Sequence, residues 1–348
     1  MKIVTREIGP DYPPFIIAEM SANHNGDINR ALEIVRLAAD AGADAIKIQT
    51  YTADTITINH ESKEFTINDG PWRGRTLYDL YKEAHMPWDW HPKIFNYAKS
   101  LNIPIFSSPF DFTAVDFLET LECPAYKIAS FECGDTSLIQ KVARTNKPII
   151  ISTGLANQSD IKQAVKVAKD NNNKNIALLH CVSAYPAKHE DANLKTISYL
   201  NKKYPALVGL SDHTPGTATS VSAVALGACI IEKHFTIARA DGGPDSAFSL
   251  EPEEFSSLVK DCNIAWKSIG SARTEPTKSE LPNIKFRRSL YVVEDIKSGE
   301  KLNATNVKSI RPGFGLPPSE ISTVMGHQAK YDLKRGTPLS WQMLAKKI

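Results

Sequence analysis

Long hydrophobic runs are missing from these 348 residues, none of them approaching the roughly 18 consecutive apolar positions of a membrane-spanning helix. A surplus of one charge is missing too. Lys and Arg total 41 against 39 Asp and Glu, and the net charge of +2 makes neither nucleic acid nor a membrane surface an expected partner. Cysteine is scarce: Cys123, Cys133, Cys181, Cys229 and Cys262 are odd in number and show no CxxC spacing. That pattern excludes a zinc-ribbon or disulfide framework and points to reduced thiols in a cytoplasmic protein. Nor does the amino terminus read as a signal peptide, because charge returns at Arg6, Glu7 and Asp11 before any apolar core develops. What the chain does have is 42% hydrophobic residues, enough for a barrel or large α/β domain with a small companion.

Short apolar runs recur at the spacing of alternating strands and helices. The strand candidates are Phe15–Met20, Ala45–Thr50, Ile103–Pro109, Ala125–Ser130, Pro148–Gly154, Asn175–Ser183, Ala206–Leu210 and Ala228–Ile231. Continuous apolar strands are buried on both faces, as in parallel sheets. Eight of them, separated by helical patterns such as 29–41, 113–121 and 159–169, predict a (β/α)8 TIM barrel with its site at the carboxyl ends of the strands. Residues 1–270 form that expected domain. The turn-rich segment 271–284, with Pro276 and Pro282, reads as a linker, and 285–348 as a small β-rich domain with turns at Lys297-Ser-Gly299 and Lys334-Arg-Gly336. Residues 51–91 form an excursion too long for a plain connection. Its Trp72, Tyr78, Tyr81, Trp88 and Trp90 argue for an ordered lid or substrate wall.

The polar residues that interrupt these strands gather where the barrel should open. Gly209-Leu-Ser-Asp-His213 and Ile230-Ile-Glu-Lys-His234 each end an apolar run in a histidine, 21 residues apart, which is one strand–helix–strand repeat. Adjacent parallel strands would bring the two imidazoles together over one divalent metal, although a histidine at a strand end is more often structural. Lys47 and Gln49 share one face of their strand, and Lys127 lies mid-strand with Ser130 and Glu132 beyond it. Buried lysines imply an anion. Phosphate suits the hydroxyls of Ser130, Ser152 and Ser211; pairing with an internal carboxylate such as Glu19 or Glu132, or a Schiff-base aldolase working through Lys127, are the alternatives. Asp245, after a Gly-Gly turn, either binds sugar hydroxyls or makes an ordinary Asx turn. Tyr185 is either a substrate wall or loop packing, and Arg311 taken alone is a surface arginine.

Together, Ala18-Glu-Met-Ser-Ala-Asn-His-Asn-Gly26, Ala45-Ile-Lys-Ile-Gln49, Tyr126-Lys-Ile-Ala-Ser130, Ile151-Ser-Thr-Gly154, His180-Cys181, Gly209-Leu-Ser-Asp-His213 and Glu232-Lys-His-Phe-Thr236 closely resemble the sialic acid synthase family. The carboxyl-terminal unit resembles its antifreeze-like SAF domain. The resemblance implies an enzyme that condenses phosphoenolpyruvate with an N-acetylated amino sugar and releases phosphate by C–O cleavage. It implies that His213 and His234 hold a divalent metal, Mn²⁺ or a substitute such as Mg²⁺ or Co²⁺, and form the catalytic set with Glu19. Lys47, Lys127, Ser130, Ser152 and Ser211 would cradle phosphoenolpyruvate. Gln49, Glu132, Tyr185 and Asp245 would face the metal-bound water or the acceptor. Arg311 would reach into a partner's barrel, making a domain-swapped homodimer. Ser183 departs from the asparagine of the common N-acetylneuraminate synthases and alters one hydrogen-bond donor beside phosphoenolpyruvate. With the Trp72-Arg-Gly-Arg-Thr-Leu-Tyr-Asp-Leu-Tyr81 stretch, it is more similar to the pseudaminic acid synthase branch than to N-acetylneuraminate or legionaminate synthases. A non-catalytic sugar-binding protein would not need every metal and anion position.

Overall fold

The computed structural model describes residues 1–70 and 72–345. It divides into two compact units, Met1–Gly270 and Ser271–Ile348. In the first, eight parallel strands close into a barrel: β1 (Phe15–Glu19), β2 (Ala45–Thr50), β3 (Ile105–Pro109), β4 (Tyr126–Ile128), β5 (Ile149–Ser152), β6 (Ile176–Cys181), β7 (Leu207–Asp212) and β8 (Ile230–His234). Each pairs with its sequence neighbours, and β8 closes the ring against β1. The strands are buried almost along their whole length because the barrel interior covers one face and helices the other.

The helices that cover the barrel follow from apolar spacing and side-chain caps. In α1 (Ile28–Asp40), Ala31, Ile34, Val35 and Ala38 form the buried stripe, and the Asp27 carboxylate starts the helix by accepting from the Asn29 amide at 2.8 Å. The excursion after β2 carries α2 (Leu77–Ala84) and leads into α3 (His91–Ser100). Then follow α4 (Phe112–Thr120), α5 (Thr136–Ala143), α6 (Gln158–Asp170), α7 (Lys195–Lys203), α8 (Ala218–Ala225) and α9 (Pro252–Ile269). Among the described residues no helix is long and apolar enough to cross a membrane.

Observed strand boundaries fall within three residues of the expected ones: β2 coincides with its range, most others end short, and β7 and β8 run on to Asp212 and His234. One difference matters for the site: β4 stops at Ile128, and Ser130–Glu132 turn as a 3-10 helix at the barrel mouth instead of extending the strand. Gly209 explains how β7 and β8 approach so closely, since a Cβ there would sit 2.3 Å from the Ile230 carbonyl oxygen. The second unit has its own small core, including Leu290, Val292, Ile296, Leu302, Val307 and Val324. Its hairpin pairs β9 (Ser289–Val292) with β10 (Val307–Ile310), and the expected turns place Gly299 and Gly336 at positive φ.

Candidate active site

Parallel register sets the site. His234 lies opposite Glu19, and Glu19 opposite Lys47, while Cys181, Ser211 and Glu232 form a second row across β6, β7 and β8. Residues level on adjacent parallel strands point to the same side, so both rows line the interior near the carboxyl ends. Lys47 sits 2.8 Å from Glu19 Oε2 and 3.6 Å from Glu232 Oε1, and donates weakly to Ser108. Lys127 donates to Glu232 Oε1 at 3.1 Å, as does Ser211. Gln49 reaches Glu19 Oε1 at 2.9 Å and Ser21 Oγ at 3.0 Å.

Neither lysine is therefore unpaired: two buried cations face two buried carboxylates. The partner of Lys127 is Glu232, however, and not Glu132. Glu232 stands two residues before His234 on the same strand face, so period-two alternation was the signal that could have assigned it. Burial works against the charge on Lys47, but Glu19 and Glu232 outweigh it and hold the ammonium above its ordinary range. Burial likewise opposes ionisation of Glu232, and Lys127 with Lys47 still brings its carboxyl down to about 2. For Lys127 burial prevails and lowers the amine.

The two histidines meet as their spacing predicts, with ring centroids 5.4 Å apart. His213 Nδ1 lies 2.9 Å from the Val182 carbonyl oxygen. A carbonyl only accepts, so Nδ1 carries the proton there and Nε2 keeps its lone pair. His234 is buried, and burial followed by the charges of His213 and the lysines drives its pKa well below the ordinary value, leaving a neutral ring. Its Nδ1 is buried without a hydrogen-bond partner. Among the described residues no three His, Cys, Asp or Glu side chains converge as a closed metal cage. Burial opposes charge on His213, but Cys181 and the Val182 carbonyl outweigh it and raise its pKa, so a metal there would displace a proton. The pair nonetheless fits an open site: His213 Nε2 and the unpartnered Nδ1 of His234 suit a divalent ion whose other positions go to substrate and water.

Hydroxyls gather beside this pair. Ser152 Oγ is buried and unpartnered. A Cβ on Gly154 would lie 2.2 Å from Ser183 Oγ and 2.7 Å from Ser130 Oγ, so the bare backbone makes room for both hydroxyls. Cys181, to which the sequence assigned no role, has its Sγ 3.8 Å from both Ser183 Oγ and His213 Nδ1. Aromatic rings cover the other side: Tyr185 packs 4.4 Å from His213, and Phe248 lies 5.3 Å from Tyr185 and 5.0 Å from His234. Asp245 is buried and accepts from the Ala22 amide at 3.1 Å, tying its loop to the turn after β1. Arg311 belongs to the second unit, exposed on the turn after β10.

Glu132 has one carboxylate oxygen buried without a partner, and burial raises its pKa from 4.5 to about 7. Between those values the folded protein keeps a proton that the unfolded chain has released, so rising pH favours unfolding. Wild type should accordingly lose stability relative to Glu132→Gln as pH rises from about 4.5 to about 7, with no further divergence above. Urea unfolding of both proteins across that range measures the difference, and parallel curves would rule out the raised pKa.

The family model of NeuB matches residues 34–274 and that of the SAF domain residues 287–345. The chain belongs to the NeuB family. Among NeuB-family relatives, the pseudaminic acid synthase of Helicobacter pylori is 43% identical over 94% of this chain and 97% of that protein. The N,N'-diacetyllegionaminic acid synthase of Legionella pneumophila is 37% identical over 94% of each chain. The crystal structure of N-acetylneuraminic acid synthetase from Leptospira borgpetersenii, in complex with citrate, superposes with a TM-score of 0.74 at 36% identity, covering 82% of this chain and 95% of that one.

Proposed function

We propose that this protein is a pseudaminic acid synthase, condensing phosphoenolpyruvate with 2,4-diacetamido-2,4,6-trideoxy-L-altrose to a nonulosonic acid and releasing phosphate by C–O cleavage. The observation that carries the chemistry is the meeting, in one barrel mouth, of two imidazoles with two buried lysines and the unpartnered hydroxyl of Ser152. Greater identity to the pseudaminic relative than to the legionaminic one favours the acceptor, and legionaminate or N-acetylneuraminate synthesis is the competing assignment.

His213 and His234 are the residues that would hold the divalent ion, Mn²⁺ being our assignment with Mg²⁺ or Co²⁺ as substitutes. When bound, such an ion supplies Lewis acidity toward the aldehyde oxygen of the open-chain sugar. Ser130, Ser152 and Ser183 donate hydrogen bonds to the phosphate of phosphoenolpyruvate, and Lys127 and Lys47 offset its charge. Held there, C3 of phosphoenolpyruvate attacks the aldehyde carbon, water adds at C2, and phosphate leaves with the C2–O bond. Glu132 offers a carboxyl with a pKa of about 7 at the mouth, matched to proton transfer near neutrality. Glu19 and Gln49 hold the sugar end of the cavity, with Tyr185 as its wall and Asp245 fixing the loop that borders it.

The same proposal includes a cytoplasmic homodimer in which Arg311 enters the partner's barrel. Its support is apolar exposure: Phe314 is 69% exposed near Arg311, and Phe131 and Leu155 are 65% and 76% exposed on loops following β4 and β5. The deciding assay is phosphate release from phosphoenolpyruvate with a panel of amino sugars, with and without chelator, followed by addition of Mn²⁺, Mg²⁺ or Co²⁺. We expect release only with metal and greatest with the diacetamido-trideoxy-altrose. Chelator-resistant turnover, or borohydride trapping of pyruvate on Lys127, would overturn the mechanism; preference for another acceptor would overturn the name.

A further inference from the structure

The excursion between β2 and α3 enters the site through one side chain. Trp72 is half-buried, its indole Nε1 donates to the Pro244 carbonyl oxygen at 3.0 Å, and its ring lies 5.8 Å from that of Tyr185. Tyr185 in turn packs 4.4 Å from His213. The rings thus form a row from the buried histidine pair outward to Trp72, with Phe248 beside Tyr185 and His234. An indole has a single donor and no acceptor, and here that donor is already used by Pro244. Trp72 consequently presents only apolar surface, while the bond fixes its ring beside the loop that carries Asp245.

We propose that Trp72 is a specificity-determining residue that selects an acceptor ending in a methyl group over one ending in a hydroxymethyl group. The inference rests on the synthase assignment above, which places the reacting aldehyde at the histidine pair. The far end of a six-carbon open chain then runs outward along Tyr185 toward Trp72. A hydroxyl turned against that wall gives up its water and gains no partner, whereas a methyl group gains contact with the ring. Discrimination of this kind at an apolar wall is worth about tenfold to a few hundredfold.

The test compares kcat/KM for 2,4-diacetamido-2,4,6-trideoxy-L-altrose with that for its 6-hydroxyl counterpart, in wild type, Trp72→Phe, Trp72→Ala and Trp72→Gln. Wild type should favour the methyl sugar by at least about tenfold. Trp72→Ala and Trp72→Gln should each bring that ratio close to one, and Trp72→Phe, which keeps an aromatic face but loses the bond to Pro244, should retain most of it. Should one variant fail to fold, the other reads the same ratio. A residue that merely braced the loop would lower both rates together, so an unchanged ratio in the folded Ala or Gln variant overturns the inference. Wild-type turnover without methyl preference overturns it as well while leaving the synthase assignment standing. Wild-type inactivity toward both sugars sinks that assignment and the inference with it.

Discussion

His234→Ala lowers metal-dependent turnover by about a thousandfold or more, because a Lewis acid supplies several kcal/mol and each 1.4 kcal/mol is a factor of ten. The loss is expected together with weakened Mn²⁺ binding by calorimetry and an unchanged far-ultraviolet circular dichroism spectrum. The barrel should survive, since the unpartnered Nδ1 of His234 contributes no hydrogen bond to the fold. Full activity in the variant would remove His234 from the metal site. The same variant tests the dimer: mixed with Arg311→Ala subunits and reassembled, it should regain activity, because in a swapped dimer one of the two sites then has both residues intact. No recovery would mean that Arg311 serves its own barrel or none.

Lys233→Met destabilises the protein by about 3–5 kcal/mol, the usual consequence of leaving a buried charge without its partner. Lys233 is the outward neighbour of the inward Glu232 and His234. Its ammonium lies 2.9 Å from Asp212 Oδ2, and both side chains are essentially inaccessible to water. Asp212 also accepts from the Thr214 amide and hydroxyl at 2.8 Å and from Ser220 of α8 at 2.6 Å. Removing only the lysine strands the carboxylate among these donors in a low-dielectric layer between sheet and helix. Asp212→Asn with Lys233→Met removes both charges and keeps an acceptor for Thr214, so the double variant should be less destabilised than the single one. Urea unfolding measures both, and a double variant as unstable as the sum of its parts would show that the two side chains act independently.

The barrel was legible because a strand covered on both sides must be apolar throughout, and eight such runs stand out against amphipathic helices. Lys47 and Gln49 were legible for the complementary reason: a polar side chain in such a strand can only face the mouth. Partnership was harder. Lys127 and Glu232 are 105 residues apart, and Trp72 and Pro244 are 172 apart. Such contacts depend on the ring closing β8 against β1 and on the path of a long excursion, neither of which leaves a local pattern. Of the two internal carboxylates open as lysine partners, Glu19 pairs with Lys47, whereas β4 ends early and turns before Glu132, and Lys127 pairs with Glu232. Asp212 and Lys233 leave no such signal, because each is adjacent to a histidine but on the opposite strand face, where an apolar residue is the norm.

Strand β8 therefore carries charge on both faces, Glu232 inward beside the neutral His234 and Lys233 outward, and each charge is paired. A slip of one residue against β7 or β1 would exchange the faces. It would drive Lys233 into a cavity that already holds two ammonium groups and press Glu232 against α8, away from any cation. The alternative pairing is penalised by several buried charges at once, so the last strand to join the ring has a single tolerable alignment. The charges buried on the two faces of β8 also proofread how the barrel closes.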